Sequence, residues 1–216
     1  MSRAELLIFD LDGTLIDSKL DLANSVNATR AWKKLPALPL ETVSSYVGHG
    51  APTLIRRVFP GASEEELADA LRYFLEYYRE HMLDATTLYP GVREGLDRLH
   101  DAGVPLAVLT NKPVRFSVSL VEGLGLEMHF FRVYGGNSFE EKKPHPRGIQ
   151  ALMSETGASQ QRTVMVGDSA VDVRTARNAG VKACGVSWGF QPETFAADPP
   201  DFVIDCMSAL VETALG

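Results

Sequence analysis

Closely spaced acidic side chains follow an apolar run near the start of the chain, in the stretch LLIFDLDGTLIDS over residues 6–18. Asp10 and Asp12 come directly after four apolar residues, and Gly13 and Thr14 follow them. Like charges repel at this range, and carboxylates resist burial. Either the stretch is an ordinary junction between a strand and a turn, or a cation and a ligand compensate the two acids.

Polar side chains also follow three later apolar runs, PLAVL, FRVYGG and TVMVG. They are Thr110, Asn111, Lys142, Lys143, Asp168, Ser169 and Asp172. In an open parallel sheet, ligands bind beyond the carboxyl ends of the strands. Folding does not require acid, hydroxyl, amide and ammonium groups at these ends, so we interpret their convergence as a site.

The residue types limit the chemistry of such a site. Gathered carboxylates need a cation, and a ligand set of oxygen atoms without a His or Cys cluster suits Mg²⁺. A lysine and a hydroxyl suit the oxygens of a phosphoryl group. One carboxylate can attack phosphorus, and a second one two residues on can carry the proton. Gly13 permits a tight turn against the substrate.

Two kinds of pattern divide the chain. Helices and strands alternate from about residue 86 to residue 216, which predicts an α/β fold with a doubly wound, Rossmann-like parallel sheet. Residues 15–85 show helical patterns and no convincing strand, and Ser63 with Glu66 forms a capping-box pattern. We therefore expect a core of residues 1–14 and 86–216 with an inserted all-helical cap of residues 15–85.

Bulk properties exclude several classes of protein. The 216 residues carry a net charge of −7, which argues against nucleic acid as the main partner. We find no signal peptide and no apolar run of the roughly 20 residues that a membrane span needs. The two cysteines, Cys184 and Cys206, favour a reducing compartment. We expect a cytoplasmic protein without a membrane partner, either a monomer or a homodimer.

Four segments resemble the motifs of the haloacid dehalogenase superfamily of phosphohydrolases. They are DLDGTLIDS, LTN, KKPHP and VGDSAVDVRTARNAG, and they occur in that order over the whole chain. Within that superfamily, the combination is most similar to the phosphoglycolate phosphatases. His49 is one departure, because it stands between Gly48 and Gly50 where those phosphatases often have Asn.

The resemblance implies a role for each motif residue. Asp10 would be the nucleophile and Asp12 the general acid and base. Thr110 and Lys143 would hold the phosphoryl group. Asp10, Asp168 and the backbone carbonyl of Asp12 would bind Mg²⁺, with Asp172 a nearby acid behind these ligands.

Four further residues are candidates for substrate binding: Thr14, Asn111, His49 and Arg56. His49 lies in the predicted cap. Most lone histidines in proteins are structural or solvated, so a role in substrate binding is only one interpretation of this residue. Arg56 or its neighbour Arg57 could meet a substrate carboxylate, although exposed helix arginines need no function. Thr110, Lys143 and Asp168 also have ordinary explanations, as a helix cap, a loop lysine and a helix cap respectively.

The predicted reaction is the Mg²⁺-dependent hydrolysis of a small phosphorylated metabolite, with 2-phosphoglycolate as the first choice of substrate. The same mechanism on pyrophosphate, a nucleotide or a sugar phosphate is the nearest alternative. A phosphomutase is another alternative, and a binding module without turnover would be a different class of protein. Asp12, Gly13 and Thr14 disfavour a dehalogenase, because they suit phosphoryl transfer.

Overall fold

A parallel sheet of six strands forms the centre of the protein. The computed structural model describes residues 3–216, so residues 1 and 2 of the predicted core lie outside it. From one edge to the other, the strands are β5 (Arg132–Tyr134), β4 (Leu106–Leu109), β1 (Leu6–Phe9), β6 (Thr163–Gly167), β7 (Lys182–Val186) and β8 (Phe202–Ile204). The chain runs outward from β1 in one direction and then in the other, which confirms the doubly wound fold.

Helices cover both faces of this sheet. They are α5 (Val92–Asp101), α6 (Val114–Gly123), α7 (Arg147–Thr156), α8 (Ala170–Ala179) and α9 (Met207–Leu215). Successive residues of a strand point to opposite faces. Phe9 therefore packs in a cluster with Leu96 of α5, whereas Ile8 packs in a second cluster with Ile149 of α7. Burying each such side chain stabilises the fold by roughly 1.5–3 kcal/mol.

The segment between β1 and α5 is mainly helical, as predicted. Its helices are α1 (Lys19–Trp32), α2 (Leu40–Ser44), α3 (Ala51–Val58) and α4 (Glu64–His81). Ser63 accepts from the Glu66 N–H and Glu66 accepts from the Ser63 N–H, so the predicted capping box at α4 is confirmed.

The expectation that residues 15–85 contain no strand is wrong at their start. Strand β2 (Ile16–Asp17) pairs antiparallel with β3 (Thr87–Leu88). Two residues are too few for a recognisable pattern, but the pairing ties together the two places where the chain passes between the sheet and the helical segment. Asp21 of α1 strengthens this junction, because its buried carboxylate accepts from the backbone N–H groups of Ala85 and Thr86.

Two short 3₁₀ helices complete the regular structure, Gln160–Arg162 and Pro192–Ala196. The second one lies in the polar, proline-rich segment QPETFAADPP between β7 and β8. Within residues 3–216, no helix is long and apolar enough to cross a membrane.

Candidate active site

The strand register brings three of the predicted site residues to one level of the sheet. Phe9 of β1 is paired with Val108 of β4 and with Val166 of β6. Asp10, Thr110 and Asp168 each come directly after one of those strands, and all three are buried. Because the strands are parallel, their carboxyl ends meet at the same edge, as predicted.

Lys143 joins two of the carboxylates at this edge. Its Nζ lies 3.0 Å from Oδ1 of Asp10 and 2.6 Å from Oδ1 of Asp172. Burial raises the pKa of Asp10 to about 6, against the opposing effect of Lys143. Burial alone would lower the pKa of Lys143, but the two carboxylates outweigh it and hold this pKa above its usual value. Lys143 is therefore a charged donor at the predicted nucleophile.

Asp168 is fixed by two backbone segments that approach it closely. Its Oδ2 accepts from the N–H of Phe190 at 2.6 Å. A Cβ atom at Gly13 would lie 2.2 Å from Oδ2 of Asp168, and one at Gly189 would lie 2.1 Å from its Cβ. Gly13 also has φ +82°, a backbone conformation that favours glycine. The glycine of the opening stretch is thus needed both for the turn and for contact with Asp168.

Asp172 lies closer to the other acids than the sequence suggests. One oxygen each of Asp10, Asp168 and Asp172 lie within 4.8 Å of one another. Ser169 is the N-cap of α8, and its Oγ donates to Oδ2 of Asp172 at 2.8 Å. The capping role thus falls to Ser169 and leaves Asp168 available for a ligand.

The cluster of Asp10, Asp168 and Asp172 fits a hard divalent cation. All its donors are carboxylate oxygens, which is the ligand type that Mg²⁺ prefers. The bonds to Asp10 fall on Oδ1 and those to Asp168 fall on Oδ2, so one oxygen of each carboxylate remains for a ligand. Burial, together with the charges of Asp172 and Asp10, raises the pKa of Asp168 well above its usual value. A bound cation would relieve this repulsion.

Asp12 lies beside this cluster and forms an ion pair with Lys112. Nζ of Lys112 lies 3.0 Å from each Asp12 oxygen, and Oγ of Ser18 donates to Oδ1 at 2.5 Å. The side chains of Asp12 and Lys112 are only 10% and 6% exposed. Sequence reasoning missed Lys112 as a site residue. The signal was its position directly after Thr110 and Asn111, in the same polar run beyond β4.

The residues predicted to bind substrate differ in their burial and in their hydrogen-bond partners. Asn111 lies in the cleft, and its Nδ2 donates to the carbonyls of Gly48 and Lys143. Thr14 is buried, and no partner for its hydroxyl is found in residues 3–216. His49 likewise has a buried Nδ1 without a partner there, and burial lowers its pKa.

Thr110, which the resemblance assigns to the phosphoryl group, accepts from the Lys112 N–H at 3.3 Å.

The structure does not bring Arg56 to the site. Its side chain is exposed on α3 and pairs with Glu64 at 2.7 Å. Arg57 turns the other way, where its guanidinium donates to the Tyr46 carbonyl. Helical geometry sends adjacent residues in different directions, and the sequence alone does not distinguish the two arginines.

Three side chains that follow strands of the sheet bind the helical segment through its backbone carbonyls. Gln191 donates from Nε2 to Ser45 at 2.9 Å and Val47 at 3.0 Å. Lys142 donates to His49 at 2.7 Å. With the Asn111–Gly48 bond, these contacts hold the loop of residues 44–49 over the acids. Lys142 is exposed, and it bridges the sheet edge and the helical segment.

A cleft separates the sheet edge from the helical segment. Acids of the sheet edge line one side of it, and residues of α1, α3 and α4 line the other. Its volume is about 50 Å³, whereas one water molecule needs roughly 10–15 Å³. In this closed arrangement, the cleft leaves room for a small ligand only.

Comparison with known proteins gives a consistent result. A profile of the family described as haloacid dehalogenase-like hydrolase matches residues 7–186. The phosphoglycolate phosphatase of Chromobacterium violaceum is 42% identical over 204 residues, which cover 92% of each chain. That of Vibrio parahaemolyticus is 38% identical over 216 residues, covering 96% of this chain and 95% of its own.

Solved structures also resemble this chain over its full length. A predicted phosphoglycolate phosphatase from Haemophilus somnus superposes with a TM-score of 0.94 at 32% identity, covering 99% of both chains. A second one, from Lactobacillus delbrueckii, gives a TM-score of 0.91 at 26% identity with the same coverage. The helical segment is therefore present in both relatives, together with the sheet.

Proposed function

This chain is a phosphatase of the haloacid dehalogenase-like hydrolase family, and we propose that it hydrolyses 2-phosphoglycolate to glycolate and phosphate. The observation that carries the proposal is the buried group of Asp10, Lys143, Asp168 and Asp172, with Asp12 beside it. The substrate follows from the relatives named above and from the small cleft. A nucleotide would need the cleft to open.

We propose that Mg²⁺ is the cofactor, held by Asp10, Asp168 and the backbone carbonyl of Asp12. When bound, Mg²⁺ would neutralise the carboxylates and the phosphoryl oxygens, so that one anion can approach another. Lys143 and Thr110 would donate to the phosphoryl oxygens. Asp172 would hold Lys143 in place through their 2.6 Å contact.

The reaction that we propose has two steps. An oxygen of Asp10 attacks phosphorus, the bond from phosphorus to the glycolate oxygen breaks, and this oxygen takes a proton from Asp12. Asp12 then takes a proton from a water molecule, whose oxygen attacks the aspartyl-phosphate. The bond between Asp10 and phosphorus breaks, which releases phosphate and restores the free carboxylate.

We also propose the division into a core of residues 1–14 and 86–216 and a cap of residues 15–85. The cap would open to admit the substrate and close over it through the carbonyl contacts of residues 44–49. A cytoplasmic location, and a monomeric or homodimeric state, stay predictions from the sequence.

One variant and a chelator test the mechanism. Asp10→Asn keeps the shape of the side chain but removes the nucleophile, so phosphate release from 2-phosphoglycolate should fall at least 10³-fold, as for the loss of a covalent catalyst. EDTA should abolish turnover, and Mg²⁺ should restore it. Wild-type rates in Asp10→Asn would refute the nucleophile, and undiminished rates in EDTA would refute the metal.

A panel of substrates tests the remaining alternatives. A higher kcat/KM for pyrophosphate, a nucleotide or a sugar phosphate than for 2-phosphoglycolate would replace the proposed substrate. A product that retains its phosphate would indicate a mutase. Asp12→Asn is the matched control, because it should impair proton transfer while Asp10 still accepts the phosphoryl group from an aryl phosphate with a good leaving group.

A further inference from the structure

Among the described residues 3–216, Lys112 is the one cationic side chain that lines the cleft. Around it, the apolar lining of the cleft comprises Leu22, Leu54, Phe74 and Leu75 of the cap and Phe116 of α6. A buried ammonium in such surroundings requires anionic or dipolar partners. Asp12 supplies one of them.

Asp12 alone does not use all the donors of Lys112. An ammonium carries three N–H bonds, and the two Asp12 oxygens take at most two of them. On its other side, Nζ lies 4.5 Å from the ring centre of Tyr78 on α4. The ammonium therefore stands between the predicted proton carrier and a cap residue.

Tyr78 supplies a second observation. Its side chain is 1% exposed and lines the same cleft. The hydroxyl is buried, and no acceptor for its O–H is found among residues 3–216. The neighbouring ammonium of Lys112 can only donate, whereas buried hydroxyls normally find a partner. A hydroxyl that lacks an acceptor, next to an ammonium, is a donor pair that a carboxylate would satisfy.

We propose that Lys112 and Tyr78 bind the carboxylate of the substrate and so select the phosphate ester of a small 2-hydroxy acid. This inference rests on the proposed function and assigns the part of the site that distinguishes 2-phosphoglycolate from other phosphate esters. Since Lys112 follows a strand of the core and Tyr78 belongs to the cap, the receptor is complete only when the cleft is closed. An ester without a carboxylate leaves the hydroxyl without an acceptor.

The test compares two substrates of equal length, 2-phosphoglycolate and 2-hydroxyethyl phosphate, in which a CH₂OH group replaces the carboxylate. The readout is the ratio of their kcat/KM values. We expect Lys112→Met to lower this ratio at least ten-fold, and Tyr78→Phe to lower it several-fold. Lys112→Arg keeps the charge and should retain part of the preference.

Lys33→Met is the matched control. Nζ of Lys33 also lies 4.5 Å from an aromatic ring centre, that of Trp32, but neither residue lines the cleft. The ratio should not change in this variant. If Lys112 only positioned Asp12, its loss would slow both substrates alike and leave the ratio unchanged as well, which would overturn the inference.

The outcomes separate this inference from the proposed function. A wild-type enzyme that does not prefer 2-phosphoglycolate over 2-hydroxyethyl phosphate would contradict both. A wild-type preference that survives in Lys112→Met within two-fold would overturn the carboxylate receptor alone. If Lys112→Met fails to fold by circular dichroism, the ratio in Tyr78→Phe decides, and an unchanged ratio there overturns the receptor.

Discussion

Gln191 offers a direct test of whether the cap must close for catalysis. Its side chain reaches from the loop after β7 to the carbonyls of Ser45 and Val47 at 2.9 and 3.0 Å. Its backbone N–H meets Asp168 at a long 3.4 Å, and a substitution leaves this N–H in place. Gln191→Ala therefore removes the contact with the cap and keeps the backbone at the predicted metal ligand.

The size of the effect follows from the number of hydrogen bonds. The amide of Gln191 has two N–H bonds, so at most two of its three cap carbonyls are served at once. At about 1 kcal/mol for each bond, the closed state loses about 2 kcal/mol relative to the open state. Since 1.4 kcal/mol corresponds to a factor of ten, kcat/KM should fall by up to about thirty-fold.

The assay is steady-state phosphate release across a range of substrate concentrations, with a thermal melt to verify the fold. Glu193→Ala is the matched control, since Glu193 lies exposed in the 3₁₀ helix that begins directly after Gln191. Gln191→Glu should be at least as impaired as Gln191→Ala, because it presents a carboxylate to carbonyl oxygens. If kcat/KM of Gln191→Ala stays within two-fold of the Glu193→Ala control, closure through these carbonyls is refuted.

Three further substitutions test the site and its junctions. Gly13→Ala forces a Cβ to 2.2 Å from Oδ2 of Asp168 at φ +82°. The free energy of unfolding should therefore fall by about 2 kcal/mol or more, and the melting temperature by at least about 4 °C. An unchanged melting temperature would contradict the close approach. Arg56→Ala should leave kcat/KM within two-fold, because its side chain is exposed and paired with Glu64, and a ten-fold loss would restore it as a substrate ligand. Asp21→Asn places an amide against the N–H groups of Ala85 and Thr86, so the free energy of unfolding from a denaturant titration should fall by about 1.5–3 kcal/mol, and a wild-type value would count against this junction.

The catalytic end of the site could be predicted because it depends on local order along the chain. Asp10, Thr110 and Asp168 each follow a short apolar strand, and parallel strands end at one edge. Lys143 follows a loop, but its burial and its two carboxylate partners fit the role that the resemblance implies. To predict the positions of these residues, it is enough to identify the strands and the polar side chains that follow them.

The cap side could not be predicted in the same way, because its residues meet only after folding. Four aromatic residues on α4 look alike in the sequence and suggest the core of the cap. In the structure, Phe74 and Tyr78 are buried and line the cleft, whereas Tyr73 stacks on Trp32. Which face of α4 meets Lys112 depends on how the cap packs on the sheet, and this is a long-range property.

The net charge around Lys143 differs from that around Lys112. Around Lys143, three carboxylates and one ammonium leave an excess of two negative charges, which repels a phosphate dianion until a divalent cation is present. Around Lys112, one carboxylate and one ammonium balance, so this half attracts no cation and still has a donor for a second anion. In the mechanism that we propose, the metal-dependent recognition of phosphate is thus separate from the metal-independent recognition of a carboxylate. Removing Mg²⁺ with EDTA should therefore weaken the binding of inorganic phosphate far more than the binding of glycolate, and calorimetry with and without Mg²⁺ measures both affinities.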